Sequence, residues 1–577
     1  MCDNKAGISD SWEEIVDRKL SADNAKIENY FQLDEDVISR AKSRKKITGK
    51  CIEDILEDLA GREAVVITSL DANHLVKLMA EGQLTATEVV TAFCARAAIA
   101  HQLSGLLLEI GFDAALARAK ELDEYYQKHG TTVGPLHGLP VTLKDQFHIR
   151  DLETTMGYVG WIGTFEGSKH TGKEKNVESQ LVQELWKLGA VPIGKAPETN
   201  NNILGYTLNP HNQLLSTGGS SGGEAAMQAL RGSAFGIGTD IGGSVSMPAA
   251  LQSIYSLKPS SGRISFKDAA DQGRGQTAIP TVAGIMGPSV ATLRLVFQSL
   301  LSTKPWLSDP YTLPIPWTGT SKNEISNPVF ALMPHDGIVS PHPPISRALK
   351  IVEAALRNIG INCLPWNPPK PSMPVSELHG KIVRGNACPE PFKAIQLSNE
   401  PVVPEMEGLY PDRTLREPIS VDTHESLVAQ MKDFRNRYND YWMSSARHTG
   451  TSRPVDAVIA PVTPYAGFQP GEFKHGAEYT TFLNLLDLPN VVIPVAFASK
   501  NIDEVPTGYK PLSEQDAENM KLYDPEVCHG APAAIQIFGR RLDEERLLLL
   551  AEIVDSAVRN YEKTLEMQAP EPQMHKL

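Results

Sequence analysis

No stretch of the 577-residue sequence approaches the roughly 18 consecutive apolar residues that a membrane-spanning helix needs, and Met1 to Asp10 is polar, without the apolar segment of a secretory leader. Both absences point to a soluble intracellular protein, placed in the cytoplasm. The final His575-Lys576-Leu577 is one substitution from a Ser-Lys-Leu peroxisomal address, a likeness short enough to arise by chance. Cysteine is sparse: Cys2, Cys51, Cys94, Cys363, Cys388 and Cys528 lie far apart, with no Cys-x-x-Cys pair and no Cys/His cluster at zinc spacing. They read as free buried thiols, and no metal site is expected. Positive charge is also short, 55 Lys and Arg against 69 Asp and Glu, and the net −14 repels phosphate backbones and anionic membranes. Nucleic acid is therefore not an expected partner. The one basic run, Arg40, Lys42, Arg44, Lys45, Lys46 and Lys50, lacks interleaved aromatics and reads as a solvated helix face.

What the sequence does have is the composition of a globular chain, 41% hydrophobic and 21% charged. Length alone would suggest about three or four domains. Ser11 followed by Glu14 forms a capping box ahead of Trp12, Ile15, Val16 and Leu20 at helical spacing, and apolar periodicity from Asn73 to Leu122 continues that texture. Residues 1–130 are read as a helical region packed on a core. From Gly134 short strand-like runs alternate with helical stretches: Pro140 to Leu143, Ala190 to Ile193, Ala457 to Ile459, Asn490 to Ala496, and Ala533 to Phe538. That alternation predicts an α/β domain over 131–577 with a mixed sheet covered by helices. The last run passes through Gly539-Arg540-Arg541 into a helix opened by Asp543, which suits a sheet edge. Two proline-rich segments, Lys304 to Trp317 and Leu364 to Pro374, read as surface excursions that shape a substrate pocket. No internal repeat is present.

The chemistry concentrates between Ser216 and Ser265. Ser216-Thr217-Gly218-Gly219-Ser220-Ser221-Gly222-Gly223-Glu224 is a glycine-rich turn followed by a helix, a place where backbone N–H groups hold an anion or an oxyanion. No lysine follows the glycines as a Walker loop requires, and Gly236 to Gly242 misses the dinucleotide GxGxxG by one position. The turn matches GxSxG at Ser220 and at Ser221, yet the preceding Asn209-Pro210-His211-Asn212-Gln213 is polar and turn-like, leaving little room for an elbow strand. A structural glycine turn without chemistry stays open at this point. Gly242-Gly243-Ser244 sits behind the apolar run Ala234 to Ile237, and one helix and one strand-like run can return it to the first cluster. A serine hydroxyl needs a base to attack an amide, and neither cluster holds a histidine. His211 reads as solvated or structural. Lys144 ends the apolar run Pro140 to Leu143, and burial, which disfavours the ammonium, can turn a lysine into a base.

Together these segments resemble the amidase-signature family over most of the chain from about Gly134. Gly138-Leu139-Pro140 to Lys144-Asp145 is similar to its lysine motif, Gly218 to Gly223 to its double-serine motif, and Gly238 to Ser244 to its nucleophile motif. Leu257 to Arg263 and Ala531 to Arg541 resemble later signature segments, and Trp12-Glu13-Glu14 with Leu208 to Asn212 resembles the fungal acetamidase and general amidase branch. The resemblance implies a Ser–cis-Ser–Lys triad in which Ser244 attacks, Ser220 relays the proton across a cis Gly219–Ser220 peptide, and Lys144 is the base. It also implies an oxyanion hole from the N–H groups of Ile241, Gly242, Gly243 and Ser244, with Thr239, Asp240 and Ser221 in support. The implied reaction is hydrolysis of a small-molecule amide, aliphatic or aryl, through an acyl-enzyme with no metal or organic cofactor. Fatty-acyl amides, carbamates and esters are alternatives, as are an amidotransferase subunit acting in a complex and a non-catalytic binding protein; a homodimer is open as the assembly. One departure stands out: Val245-Ser246 replaces the Ile-Arg common after the nucleophile, which removes a cation near Ser244.

Overall fold

The computed structural model describes residues 10–28, 30–44, 59–319, 325 and 327–568. Cys2, Cys51, the side chains of the basic run Arg40 to Lys50 and the C-terminal His575-Lys576-Leu577 lie outside what is described. Ser11 caps the first helix, Trp12–Glu28, as a full capping box: Ser11 N–H donates to Glu14 Oε2 at 2.8 Å and Glu14 N–H to Ser11 Oγ at 3.3 Å. Among the described residues, helices Glu35–Arg44, Arg62–Ser69, Ala72–Ala80, Ala86–Ser104 and Phe112–His129 follow, with the two-residue strand β1 (Glu109–Ile110) before the last of them.

The other strands are β2 (Pro140–Lys144), β3 (Val191–Ala196), β4 (Asn200–Asn201), β5 (Gly205–Tyr206), β6 (Phe235–Asp240), β7 (Tyr255–Lys258), β8 (Val282–Gly287), β9 (Phe330–Leu332), β10 (Leu364–Pro365), β11 (Ala457–Pro461), β12 (Asn490–Phe497) and β13 (Pro532–Phe538). Strands β4 and β5 form a separate pair; the rest make one mixed sheet of 11 strands in the order β1-β3-β2-β6-β8-β7-β12-β13-β11-β9-β10. β2 runs parallel to both β3 and β6, while β6, β8, β7, β12, β13 and β11 pair antiparallel in succession.

Successive residues of a strand face opposite sides of a sheet, and the central strands bury both. Val491, Ile493, Ile535 and Ile537 pack with Leu293, Val352 and Leu548 of the helices on one face. Val492, between the first two, and Ala534, just before Ile535, pack on the other face with Ala225 and Ala229 of the helix Gly222–Ala229 and with Ala249 of the helix Ser246–Leu251. The two helices that follow the two serine clusters therefore share one face of the sheet. Strand β13 differs from its expected place at the sheet edge: it lies inside, between β12 and β11, with every residue buried. Its near-continuous apolar run Pro532-Ala533-Ala534-Ile535-Gln536-Ile537-Phe538 is what burial on both faces demands. Of the thiols, Cys94 and Cys528 are buried as expected, whereas Cys363 and Cys388 are half-buried.

One buried carboxyl has no cation beside it. Glu224 Oε1 accepts from Thr142 Oγ1 at 2.6 Å and from Gln228 Nε2 at 3.0 Å, while Oε2 has no partner. A Cβ at Gly236 would come within 2.0 Å of that Oε1, so a larger residue there would have to displace the carboxyl. Burial, with little opposing it, pushes the Glu224 carboxyl from 4.5 up to about 7. The folded chain then keeps a proton that the unfolded chain releases above pH 4.5, so stability falls as pH rises from 4.5 through 7, by about 3 kcal/mol. Glu224→Gln, which keeps the shape and cannot ionise, should flatten that part of the decline; thermal unfolding of both proteins at pH 5 and pH 8 checks it, and an equal drop in the two would refute it.

Candidate active site

Parallel neighbours β2 and β6 end at the same edge of the sheet, and this edge collects the reactive groups. Val141, Thr142 and Leu143 stand level with Phe235, Gly236 and Ile237, so Lys144 at the end of β2 lies beside the last residues of β6. Asp240 closes β6 and the chain turns at once into Ile241-Gly242-Gly243-Ser244. The region outside the carboxyl ends of parallel strands is where α/β sheets form their sites.

Lys144 is buried, and its Nζ donates to Ser220 Oγ at 2.5 Å. The Gly219–Ser220 peptide is cis. Ser221 N–H donates to the Ser244 carbonyl at 3.2 Å, which brings the two serine turns into contact. Ser220 and Ser244 are both half-buried. Ser221 itself faces inward: its Oγ donates to the Thr239 carbonyl at 3.3 Å and accepts from Thr239 N–H at 3.2 Å. Thr239 Oγ1 donates to Gln146 Oε1. Asp145, next to Lys144, turns away to a buried pair with Lys195 Nζ at 2.5 Å, and desolvation lowers that lysine below its ordinary value.

The loop that holds Ser244 is organised by Asp240. Its Oδ1 accepts from Gly243 N–H at 2.7 Å and from Asn484 Nδ2 at 3.0 Å, and its Oδ2 accepts from Val245 N–H at 2.8 Å. Gly243, expected among the oxyanion donors, has its N–H taken by a carboxylate, while the N–H groups of Ile241, Gly242 and Ser244 meet no backbone or side-chain acceptor among the described residues. Two residues far along the chain bind the loop's carbonyls. His379 Nε2–H donates to the Ile241 carbonyl at 2.7 Å, and burial lowers that imidazole. Thr480 Oγ1 donates to the Gly242 carbonyl at 2.8 Å. Each of these bonds polarises the peptide whose N–H belongs to the next residue.

Ser246 is buried and faces the sheet, where Asn490 Nδ2 donates to its Oγ at 3.0 Å and to Gln536 Oε1 at 2.8 Å. A cation still acts on Asp240, from Lys258 of β7, which burial lowers while Asp240 leads the opposing charges. The polar loop before the double serines also proves structural: Asn209 Nδ2 donates to the Leu251 carbonyl at 2.7 Å, His211 Nε2 to that of Gln252 at 2.9 Å, and Asn212 Nδ2 to that of Val527 at 2.7 Å. No sheet strand leads into Ser220, so an elbow is absent. The proline-rich segment Lys304 to Trp317 helps line a cavity of about 720 Å³, through Asp309 to Leu313, with residues 260–282 opposite; Lys144, Ser220 and Ser244 are not among its walls. No group of three His, Cys, Asp or Glu residues suited to a metal occurs among the described residues, and no helix among them is long and apolar enough to cross a membrane.

Sequence reasoning missed Glu198, His379, Thr480 and Asn484. Only Glu198 had a local signal, as a carboxylate just past the strand beside the lysine strand. The others reach the loop across more than a hundred residues.

A family model described as Amidase matches residues 88–548. The acetamidase of Aspergillus oryzae is 40% identical over 506 residues, covering 85% of this chain and 90% of that protein. The acetamidase of Emericella nidulans is 40% identical over 510 residues, covering 86% and 90%. Among solved structures, a fatty acid amide hydrolase superposes with a TM-score of 0.85 at 31% identity, covering 95% of each chain. A 6-aminohexanoate cyclic dimer hydrolase shares the fold at a TM-score of 0.64 and 19% identity.

Proposed function

Since the chain belongs to the amidase family and is a hydrolase of amides, we propose that it works through an acyl-enzyme on Ser244, with Ser220 as proton relay and Lys144 as base. Ser244 Oγ attacks the amide carbonyl carbon while its proton passes through Ser220 Oγ to Lys144 Nζ. The carbonyl oxygen becomes an oxyanion facing the N–H groups of Ile241, Gly242 and Ser244. The relay then returns the proton to the departing nitrogen, the C–N bond breaks, and ammonia or an amine leaves. Water repeats the attack on the ester, and the acid departs with Ser244 Oγ reprotonated.

The observation that carries this reading is the 2.5 Å contact of Lys144 Nζ with Ser220 Oγ, on a turn bonded to the backbone of Ser244. Small aliphatic or aryl amides are the proposed substrates, supported by the 40% identity to two proteins named acetamidase. A fluorophosphonate probe should add its phosphonyl mass to the peptide containing Ser244, with Ser220 and Ser221 unmodified. Adduct on Ser220 with Ser244 clean would overturn the assignment. A hydrolysis screen over acyl-chain length checks the substrate class, and turnover confined to long acyl chains would replace it.

A further inference from the structure

Glu198 stands two residues past the end of β3, in the run Ala196-Pro197-Glu198-Thr199. Ala196 is level with Lys144 across the parallel pair β2–β3, so residue 198 arrives above the end of the lysine strand. Its Oε1 lies 3.1 Å from Lys144 Nζ. The backbone here is tied to the serine turn, for Thr199 N–H donates to the Ser220 carbonyl at 3.2 Å. Lys144 Nζ is thus held between the relay hydroxyl and one carboxylate.

The surrounding charges leave Glu198 in sole possession of this role among the described residues. Asp145 is spent on Lys195. Tyr158 faces Glu198 and is raised by burial and then by that carboxylate; its Oη donates to Gln272 Oε1 at 3.3 Å, and Tyr410 and Glu400 act on it more weakly. Glu405 is bonded to Asn200 Nδ2 at 2.8 Å. The Glu198 side chain is 29% exposed.

An ammonium cannot accept the proton of Ser220, and a carboxylate at ion-pair distance favours the ammonium over the free amine. We propose that Glu198 is a positioning residue that sets the pH at which Lys144 becomes competent as a base. The inference rests on the base role of Lys144 given above and adds to it the group that governs the acid limb of the activity profile.

The test is the second-order rate of fluorophosphonate labelling, which needs no knowledge of the substrate, measured across pH for the whole chain and for Glu198→Gln, Glu198→Asp and Lys144→Ala. Glu198→Gln should move the acid limb to lower pH by about one unit, so that labelling on the acid side, relative to its own plateau, is about tenfold faster than in the unmodified protein. Glu198→Asp keeps the charge and should leave the limb nearer its original position than Glu198→Gln does, a rescue that loss of a merely structural contact would not show. An unmoved or raised limb in Glu198→Gln, with Lys144→Ala labelling slowly, refutes the role of Glu198 alone. Lys144→Ala labelling at the unmodified rate with the same limb refutes the base itself, and this inference with it.

Discussion

Lys144→Ala should lower kcat for amide hydrolysis by about 10²–10⁴-fold, the range for loss of a positioned general base. The amine has two side-chain partners, Ser220 Oγ and Glu198 Oε1. Its removal leaves one free hydroxyl and one partly solvated carboxylate, neither of which strands a buried charge, so circular dichroism and the thermal midpoint should stay close to those of the unmodified protein. Residual activity should favour esters over amides, because an alkoxide departs without the proton that a leaving amine takes from Ser220. In the unmodified protein the rate should climb with pH on the acid side, since only the free amine accepts a proton. Wild-type amide turnover in Lys144→Ala would end the lysine mechanism. The histidine to test beside it is His379, whose Nε2 is already committed to the Ile241 carbonyl.

Gly243→Ala should cost about 10²–10³ in kcat, the size of effect seen when an oxyanion donor is lost, with little change in KM. Gly243 holds φ +119°, a conformation closed to residues with a Cβ, and a Cβ there would lie 2.2 Å from Thr480 Oγ1 and 2.5 Å from Thr480 Cβ. The loop must move, and the residues on either side of Gly243 are Gly242, proposed as an oxyanion donor, and Ser244, proposed as the nucleophile. Steady-state kinetics on a simple amide decides the matter, and a kcat within about threefold of the original would show that the loop's conformation does not set the rate. A fall in the thermal midpoint is expected as well, because the Asp240 carboxylate loses its 2.7 Å partner when the loop shifts.

Lys144 was legible in the sequence, and the packing of Thr480 against Gly243 was not. Lys144, Ser220, Ser244 and Asp240 stood in glycine-bounded segments or at the end of an apolar run, where local pattern and chemistry coincide. Strand runs were legible for the same reason: Asn490 to Ala496 lies within β12 and Ala533 to Phe538 within β13, because buried strands need unbroken apolar stretches. The place of a strand in the sheet was not. β13 and a true edge strand differ in what pairs with them, and pairing partners drawn from Ala457–Pro461 and Asn490–Phe497 leave no mark on the strand's own residues. The same holds for His379 and Thr480, ordinary helix residues until the fold lays them on the carbonyls of Ile241 and Gly242. The use of Gly243 N–H by Asp240 escaped for a smaller reason: spacing shows which donors converge, and a side chain three residues away decides which of them is already occupied.

The interior position of β13 also orders events in time. As the chain emerges from the ribosome, β2, β3, β6, β7 and β8 can associate early, for their pairings with one another lie between Pro140 and Gly287. β12 and β11 cannot join each other, because the strand that bridges them is made last, ending at Phe538. Until then β12 offers a bare edge beside apolar residues such as Val491 and Ile493, the kind of exposed template on which nascent chains pair wrongly. Long-range pairing of this sort is slow, and Thr480 and Asn484, which brace the loop that carries Ser244, sit in the helix Glu478–Leu486 just before that edge. A nascent chain stalled short of Phe538 would hold both serines and the lysine while its sheet was still open beneath them.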